Sequence, residues 1–389
     1  MLAFPPPADM RRGMAAALPS DIDVLVVGAG IAGASLAAEL APHRAVLMIE
    51  AEEMPGFHST GRSAAFWQES YGGTGVQPLT AASFAALADP DPGFSGRPFL
   101  SPRGALMVGR RGDAPAVDAF VADFRAQGVD VARLSGADLA DRVPGLRPEW
   151  SEAAFEPSCR DIDVGGLHAA CLRAAKRGGA GLATRTSLVA ARRSGGRWAV
   201  ETNRGTIHAA LIVDAAGAWA DTVAAACGVA PVGVRPYRRT LAQLRLGVPV
   251  PATLPLVADI GGSFYFKGES EGRIWLSPHD ETPCEPCDAA PEELDVALAI
   301  DRFQSVVDWP IVAVERKWAG LRSFAPDRLP LFGPDPHQPA FVWCAGQGGF
   351  GIQTAPAIAG LLAWQLGAPA PAGPIAALDP APYAPARFA

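Results

Sequence analysis

Short runs of apolar residues, each followed by glycine and then by a helical pattern, recur along the chain. The first run, residues 24–27, passes into residues 28–33 (GAGIAG), and the alanine- and leucine-rich segment 34–41 continues as a predicted helix. A second apolar run at residues 46–49 ends in Glu50. This order of strand, glycine turn, helix, strand and acid is typical of a dinucleotide-binding unit.

Each glycine of residues 28–33 has a separate task in such a unit. The first permits the tight turn, the second lets a pyrophosphate approach the backbone, and the third lets the helix pack closely on the strand. The phosphates lie on N–H groups at the positive end of the helix. Glu50 follows at about the spacing, roughly 20 residues, at which a carboxylate meets the ribose hydroxyls. We therefore predict a nucleotide at this turn.

Two later apolar runs also end in small residues that open a helix. Residues 211–214 lead into 215–219, and residues 341–345 lead into the glycine-rich segment 346–354 and a helix that ends near residue 366. A nicotinamide site is usually completed within one continuous domain, whereas these signals lie at the start, middle and end of the chain. We therefore predict a tightly held flavin. The last loop places N–H donors near the pyrimidine side of its ring, where reduction builds negative charge.

The rest of the pattern predicts a second domain. Apolar and polar residues alternate over residues 237–277, residues 291–307 form an amphipathic helix, and residues 311–322 return as a strand. The predicted fold class is α/β (α+β), with a Rossmann-like FAD-binding domain and a substrate domain built on an antiparallel sheet. The predicted boundaries are 1–20 for an N-terminal extension, 21–85, 155–235 and 325–389 for the discontinuous FAD-binding domain, and 86–154 and 236–324 for the substrate-binding domain.

Composition narrows the classes of partner. The chain has 389 residues and a formal net charge of -7 with scattered basic residues, which argues against a nucleic-acid partner. No run of 18 apolar residues occurs, and the first 20 residues lack the apolar region of a signal peptide. We therefore expect a cytoplasmic protein with reduced cysteines and no membrane span.

The six cysteines are spread over the chain, and Cys284 and Cys287 form the close pair. A structural zinc site needs two further ligands, and a redox C-x-x-C opens a helix, whereas this pair lies among three prolines. We interpret the pair as incidental. His168 and His279 have no companions that would suggest a ligand set, so we predict no metal.

Several strings are more specific than the glycine turn, and they resemble one group of proteins. The chain resembles the D-amino acid oxidase and glycine oxidase superfamily of FAD-dependent amine oxidoreductases, and within it most closely the bacterial D-arginine dehydrogenases. The segments that carry this likeness are residues 55–65, 161–163, 215–221, 263–265, 318–324 and 347–354.

The resemblance implies an amino acid substrate on the flavin face with its carboxylate held by arginine. Arg322 matches the bidentate carboxylate binder and Arg239 a second arginine, with Arg238 as the alternative if the register shifts by one. A planar guanidinium suits a carboxylate in a way that lysine does not. Two tyrosines close over the substrate and one backbone carbonyl meets its amino group; these positions match Tyr71, Tyr265 and Gly349.

The same comparison predicts non-covalent FAD, because no cysteine stands where the sarcosine oxidase branch attaches its flavin. His58 and Arg62 lie in the flavin loop, and we favour structural roles for both. The predicted cofactor-binding residues are Gly28, Gly30, Ile31, Ala32, Gly33, Glu50, Ala51, Ser59, Thr60, Arg62, Ser63, Ala64, Ala65, Leu188, Val189, Ala216, Gly217, Trp219, Gly348, Gly349, Phe350, Gly351, Ile352 and Gln353.

Departures from the family pattern change the expected substrate. Phe66 and Gln68 replace a histidine and a threonine, and Ala105 stands where the D-arginine dehydrogenases have the acid that meets the guanidinium. We therefore predict oxidative deamination of neutral or apolar D-amino acids to 2-oxo acids and ammonia. Glu69 could restore a partner for a cation if its loop turned towards the pocket.

Two alternative reactions stay open, and so does the electron acceptor. A secondary-amine oxidase of the sarcosine, glycine or proline type would use the same arginines, and a 2-hydroxy acid oxidoreductase would need a base for the hydroxyl proton. Lys267 is comparable to a lysine that activates oxygen in sarcosine oxidases, yet D-arginine dehydrogenases carry a similar lysine and react poorly with oxygen. We favour a dehydrogenase that passes electrons to a quinone or dye.

Overall fold

The structure is a computed structural model that describes residues 18–251 and 253–389. Most of the predicted N-terminal extension, residues 1–17, lies outside the described residues. In this part of the chain the α-helices are α1 (Ile31–Leu40), α2 (Gln77–Ala88), α3 (Ala114–Ala126), α4 (Ala137–Arg142), α5 (Val164–Arg177), α6 (Ala220–Ala226), α7 (Glu293–Gln304) and α8 (Gly351–Gln365).

The strands are β1 (Asp21–Val27), β2 (Val46–Ile49), β3 (Phe66–Trp67), β4 (Leu100–Pro102), β5 (Ala105–Arg110), β6 (Ala132–Ser135), β7 (Trp150–Glu156), β8 (Arg160–Ile162), β9 (Gly181–Ala183), β10 (Leu188–Ser194), β11 (Arg197–Thr202), β12 (Gly205–Asp214), β13 (Arg235–Leu246), β14 (Leu256–Asp259), β15 (Tyr265–Gly268), β16 (Arg273–Ser277), β17 (Thr282–Pro283), β18 (Ile311–Phe324), β19 (Leu331–Pro334), β20 (Phe341–Ala345) and β21 (Gln347–Gly348).

The first large sheet holds the dinucleotide-binding pattern. Its strands run in the order β10-β11-β12-β1-β2-β9, with β20 joined to β12 and β19 to β20. Strands β2 and β12 lie parallel to β1, and β20 lies parallel to β12; Val24 pairs with both Leu211 and Val46. Because β1 is covered on both faces, its core residues are apolar without alternation. Helices α1, α5 and α8 pack together on one face.

The second large sheet is mainly antiparallel, in the order β21-β18-β13-β16-β15-β14-β5-β7-β6. Successive side chains of a strand point to opposite faces, so the two faces of this sheet carry different sets of residues. One face packs Leu244, Leu276 and Phe266 against Phe303 of α7. The other face carries the odd-numbered residues of β13 and β15, and it lies towards the first sheet.

Contacts between the two sheets run through the loop at residues 55–65 and the last glycine loop. The Ser59 hydroxyl donates to Leu321 O at 2.6 Å, and the Trp318 indole N–H donates to Arg62 O at 3.0 Å. In addition, β21 pairs with the end of β18, so that Ser323 lies opposite Gly348. The predicted α/β class with a second, antiparallel sheet is confirmed, and the space between the two sheets is where a ligand fits.

Candidate active site

A cavity of about 420 Å³ lies between the two sheets. The three glycine-rich segments predicted from the sequence all reach its wall, at the end of β1, at the end of β12 and between β20 and α8. The predicted site residues that line it are Gly28, Gly30, Ile31, Ala32, Glu50, Ala51, Ser59, Thr60, Arg62, Ser63, Ala64, Leu188, Ala216, Gly217, Trp219, Arg239, Tyr265, Arg322, Gly348, Gly349, Gly351 and Ile352.

Other predicted residues lie outside this lining. Gly33 lies behind the turn, where a Cβ would overlap the backbone of Gly28, so its role is close packing of helix on strand. Val189 is 60% exposed. Gln353 is buried behind the wall, and its amide donates to Gln68 O and to the Thr80 hydroxyl. The remaining predicted residues outside the lining are Ala65, Tyr71 and Phe350.

The first glycine turn is built for close approach to a ligand. Gly28 has φ +102°, and a Cβ there would lie 2.5 Å from Ala215 O, which leaves room for glycine alone. No side chain caps α1 at Gly30, although the Thr60 hydroxyl accepts a hydrogen bond from the Ile31 N–H at 3.0 Å. The positive end of this helix therefore faces the cavity.

Glu50 is held in place at the end of β2. Its carboxylate accepts hydrogen bonds from the Ala29 and Glu52 N–H groups, both at 3.0 Å. These bonds leave further lone pairs of the carboxylate facing the cavity that Glu50 lines. The position suits the ribose hydroxyls of a dinucleotide.

Two histidines support this part of the wall, and no sequence motif indicates the contacts that they make. The His168 Nε2–H of α5 donates to Ala29 O at 2.8 Å, and burial lowers the pKa of the imidazole. His58 contacts Glu52 at 2.9 Å, while its Nδ1 is buried without a partner in the described structure. His58 also lines the cavity.

The last glycine loop brings three predicted residues together. A Cβ added to Gly349 would lie 2.9 Å from the Arg322 guanidinium carbon and would also collide with the Tyr71 hydroxyl. The Arg322 guanidinium lies 5.8 Å from the centre of the Tyr71 ring, in cation–π geometry. The Gly349 backbone, Arg322 and Tyr71 therefore meet at one point, and the uncapped start of α8 lies beside them.

Arg239 and Arg322 leave the same face of adjacent strands, β13 and β18. Arg239 is 3% exposed; its Nε donates to Asp280 O at 2.7 Å, its Nη2 donates to Glu281 at 3.2 Å, and its Nη1 is buried without a partner in the described structure. Burial, and then the charge of Arg322, lowers the pKa of Arg239 to about 10.

The Arg322 guanidinium contacts the Tyr71 ring. Within residues 18–251 and 253–389, no protein group forms a hydrogen bond or an ion pair with this guanidinium. An unpaired buried cation is costly. The cavity therefore presents two guanidinium groups with unused donors, which is an arrangement suited to a carboxylate. Arg238, the alternative to Arg239, instead pairs with Glu292 and Asp295 on the opposite face.

Residues 279–281 contact both Arg239 and Tyr265 in the cavity wall; of these three residues, Asp280 and Glu281 had no signal in the sequence. Asp280 and Glu281 hold Arg239 as described above. Next to them His279 adopts φ +54°, its Nδ1–H donates to Gly262 O at 2.6 Å, and its ring stands edge-on to Tyr265 at 5.6 Å. Burial, and then the charges of Arg239 and Arg322, lowers the pKa of His279 to about 3, so the ring is neutral at ordinary pH.

Beyond the arginines the site becomes apolar. Phe66 lies 5.4 Å from Tyr71 and 6.3 Å from Tyr265 between ring centres. Ala105 is fully buried and belongs to a cluster with Leu241 and Tyr265, against which Phe66 packs.

Two carboxylates lie behind this apolar surface. The Glu69 carboxylate accepts a hydrogen bond from Gln77 at 3.1 Å. Glu156, which the sequence analysis missed, pairs with Ala105 across β5 and β7. Its carboxylate is buried, accepts hydrogen bonds from the Ser70 hydroxyl at 2.5 Å and the Glu69 N–H at 2.8 Å, and has its pKa raised by burial.

Lys267 is placed away from the cavity lining. Its Nζ lies 3.0 Å from Asp161 and 3.7 Å from Glu269, and it stacks 4.8 Å from the Trp275 ring centre. Its charge is thus neutralised by protein carboxylates.

Among the described residues, two features are absent: a group of metal ligands and a membrane-spanning helix. Between residue 18 and the C-terminus, residue 252 apart, no three potential ligand side chains are grouped to hold a metal ion. Over the same residues, none of the helices has both the length and the apolar character that crossing a bilayer requires.

Comparison with known proteins adds a family model and several relatives. The model of the DAO family, FAD dependent oxidoreductase, matches residues 23–365. A glycine oxidase of Pseudomonas aeruginosa is 30% identical over 191 residues, which cover 48% of this chain and 48% of that protein. The matches span between 24% and 56% of the lengths of the first curated relatives.

Solved structures share the fold over nearly the whole chain. Glycine oxidase from Geobacillus kaustophilus superposes with a TM-score of 0.81 at 25% identity, covering 94% of this chain and 98% of that one. L-proline dehydrogenase from P. horikoshii superposes with a TM-score of 0.81 at 22% identity, covering 95% and 98%. The predicted nearer likeness to D-arginine dehydrogenases stays a prediction.

Proposed function

The chain belongs to the DAO family of FAD-dependent oxidoreductases, and from this premise we propose that it oxidises an α-amino acid to an imino acid. Water then converts the imino acid to a 2-oxo acid and ammonia. The observation that carries the proposal is a pair of guanidinium groups in the wall of the FAD cavity. Arg239 is buried with an unused Nη1 donor, and Arg322 is half-buried with no hydrogen-bond partner among the described residues.

The carboxylate of the substrate is the partner that these arginines lack. Arg322 offers a planar fork of N–H donors, and Arg239 adds its Nη1. Because Asp280 O and Glu281 already hold the rest of the Arg239 guanidinium, that group is fixed before the substrate arrives. Binding one carboxylate between Arg322 and the fixed Arg239 orients Cα for the reaction.

When bound, FAD would supply the redox chemistry, as the acceptor of the hydride from Cα. The residues around the cavity orient the substrate for this step. With the carboxylate on Arg322, the backbone of Gly349 is next to the position of the amino group, where its carbonyl oxygen accepts an amine N–H. Tyr71 and Tyr265 cover the substrate and keep water out.

We propose that FAD is bound without a covalent link. Cys344 lines the cavity, but burial raises the pKa of its thiol to about 12, which keeps it protonated and unreactive. Gly28, Gly30 and the uncapped start of α1 provide the close backbone approach that a pyrophosphate requires.

The side chain of the substrate is neutral or apolar, and the amino acid has the D configuration. Phe66 packs beside the two tyrosines, and Ala105 is fully buried in the apolar cluster that Phe66 contacts. The nearby acids are poor partners for a cation, because Glu69 is bonded to Gln77 and Glu156 has a pKa raised by burial. The D preference rests on the family resemblance.

The two competing reactions make different demands on this site. Oxidation of a 2-hydroxy acid requires a base for the hydroxyl proton, and His279 beside the arginines is a poor base because its pKa is lowered to about 3. A secondary amine would meet the same arginines and the same Gly349 carbonyl, so the identity of the amine product decides between the two amine reactions.

The preferred electron acceptor is a quinone or dye rather than oxygen. A lysine that assists oxygen needs its charge next to the flavin. Lys267 instead has its ammonium group paired with Asp161 and Glu269.

Product analysis tests the proposal. The holoenzyme is incubated with D-leucine and a dye acceptor, and ammonia and the 2-oxo acid are quantified against dye reduced. We expect one mole of each per mole of two-electron dye. Turnover of N-methyl amino acids with release of methylamine (oxidation at Cα) or formaldehyde (oxidation at the N-methyl carbon), at a higher rate than any primary amino acid, would assign the secondary-amine reaction instead.

A further inference from the structure

A half-buried pair of thiols lies in the loop between β17 and α7 and takes no part in the proposed reaction. The sulfur atoms of Cys284 and Cys287 are 3.5 Å apart and share a hydrogen bond. The pair that we interpreted as incidental from its spacing is therefore already in contact. A contact between two thiols is the geometry from which a disulfide forms with small movement.

Both ends of this loop are anchored, which keeps the thiols together. The Cys284 N–H donates to Pro236 O of β13 at 3.1 Å. On the other side, Arg62 donates to Ala289 O at 2.8 Å and forms an ion pair with Asp288. The three residues between these anchors have little freedom to separate the sulfur atoms.

A metal ion does not explain the pair. A structural zinc takes four ligands, and in the stretches 18–251 and 253–389 no third His, Cys, Asp or Glu side chain joins the two thiols. The other four cysteines are buried, and burial raises the pKa of three of their thiols, those of Cys171, Cys227 and Cys344, to about 12. Cys284 and Cys287 are therefore the pair that a small oxidant can reach.

We propose that Cys284 and Cys287 form a reversible disulfide when the protein meets hydrogen peroxide. The Cys287 thiolate attacks one peroxide oxygen, the O–O bond breaks, and a sulfenic acid and one water are formed. The Cys284 sulfur then attacks the Cys287 sulfur, the S–O bond breaks, and a second water leaves. Two thiols lose two electrons in total, and one peroxide is reduced to two waters.

In the proposed order of attack, Cys287 is the first sulfur to react and Cys284 resolves the sulfenic acid. The thiolate is the nucleophile in both steps. The two single-serine variants test this order. A dithiol reductant reverses the change by thiol–disulfide exchange.

Mass mapping of the holoenzyme tests this inference independently of substrate oxidation. The reduced protein is treated with a small excess of hydrogen peroxide, alkylated under denaturing conditions and digested. We expect the peptide that contains both cysteines to lose two hydrogen atoms and to escape alkylation, while the other four cysteines are alkylated. Dithiothreitol before alkylation is expected to restore both labels.

Variants separate this pair from the other thiols. Cys287→Ser is expected to abolish the loss of two hydrogens, and Cys284→Ser is expected to leave Cys287 as a sulfenic acid that a dimedone probe traps. Cys171→Ala, a change at a buried cysteine, is expected to leave the reaction intact. The inference fails if both cysteines of the wild-type protein stay alkylated after peroxide, or if a buried cysteine is oxidised first.

Discussion

Replacing Arg322 by alanine probes the carboxylate site most sharply. Arg322 is half-buried beside Tyr71, and among the described residues no protein acid forms an ion pair with it. Under the proposed function its ionic partner is the substrate carboxylate. Removing one member of a buried charge pair costs about 3 to 5 kcal/mol, and at about 1.4 kcal/mol per decade this is roughly two to four decades in kcat/KM.

Two further arginine variants rank the donors of the site. Arg322→Lys keeps the charge but removes the planar pair of N–H donors, so we expect a loss in kcat/KM smaller than that of Arg322→Ala. Arg239→Ala removes one unused donor, and one charge-assisted hydrogen bond is worth about 1.5 to 3 kcal/mol, or roughly one to two decades. Arg316→Ala, an exposed arginine on the same strand, is the matched control and is expected to change kcat/KM little.

The assay is dye-linked turnover of D-leucine together with the FAD content of each variant. D-Leucinamide, which lacks the carboxylate, completes a double-mutant-type cycle. We expect the wild-type kcat/KM for the amide to fall to the value that Arg322→Ala shows for D-leucine. The kcat/KM of the variant is expected to be the same for the amide as for D-leucine. The carboxylate assignment is refuted if Arg322→Ala retains FAD and its kcat/KM for D-leucine stays within about threefold of the wild-type value. It is also refuted if the variant's kcat/KM falls further on the amide, by as much as the wild-type value does.

Four further predictions follow from the same site. Acid precipitation is expected to leave the yellow colour in the supernatant as FAD; colour in the pellet would mean a covalent link. D-Leucine, D-methionine and D-phenylalanine are expected to have a higher kcat/KM than D-arginine. At Ala105 a charge-assisted hydrogen bond to the guanidinium, worth about 1.5 to 3 kcal/mol, is missing, whereas each buried methylene adds about 0.8 kcal/mol. If D-arginine has the highest kcat/KM, Glu69 or Glu156 pairs with its guanidinium. Peroxide is expected to form more slowly than dye is reduced, whereas equal rates would assign an oxidase. Finally, a competitive carboxylate inhibitor without an amine is expected to weaken as pH rises through about 10, because the pKa of Arg239 is lowered to about 10 and its charge is lost above that pH; affinity that is flat to pH 11 or so would contradict this sign.

The cofactor half of the cavity could be predicted because its signals are local. A glycine that needs φ +102° next to a buried strand, as at Gly28, is visible in the sequence as a run of apolar residues broken by glycine. The same is true of Glu50, whose distance from Gly28 is set by one helix and one strand. The three glycine segments meet because parallel strands bring their carboxyl ends to one edge of a sheet.

The substrate half depends on contacts between distant parts of the chain, and the sequence carries less information about them. The family resemblance located Arg239 and Arg322, but no periodicity indicates that His279 would stand edge-on to Tyr265. Glu156 was missed because its partner strand, β5, was not predicted. The contact between Cys284 and Cys287 depends on anchors on β13 and Arg62, which lie far from the pair in sequence.

Bleaching of the bound FAD without oxygen tests the central claim most directly, because it needs no assumption about the electron acceptor. The holoenzyme is mixed with D- and L-amino acids, N-methyl amino acids and 2-hydroxy acids, and the flavin absorbance is followed in a stopped-flow instrument. We predict rapid bleaching by neutral or apolar D-amino acids and slow or no bleaching by their L enantiomers and by 2-hydroxy acids. Fastest bleaching by an N-methyl amino acid or a 2-hydroxy acid, with D-amino acids inert, would contradict the account.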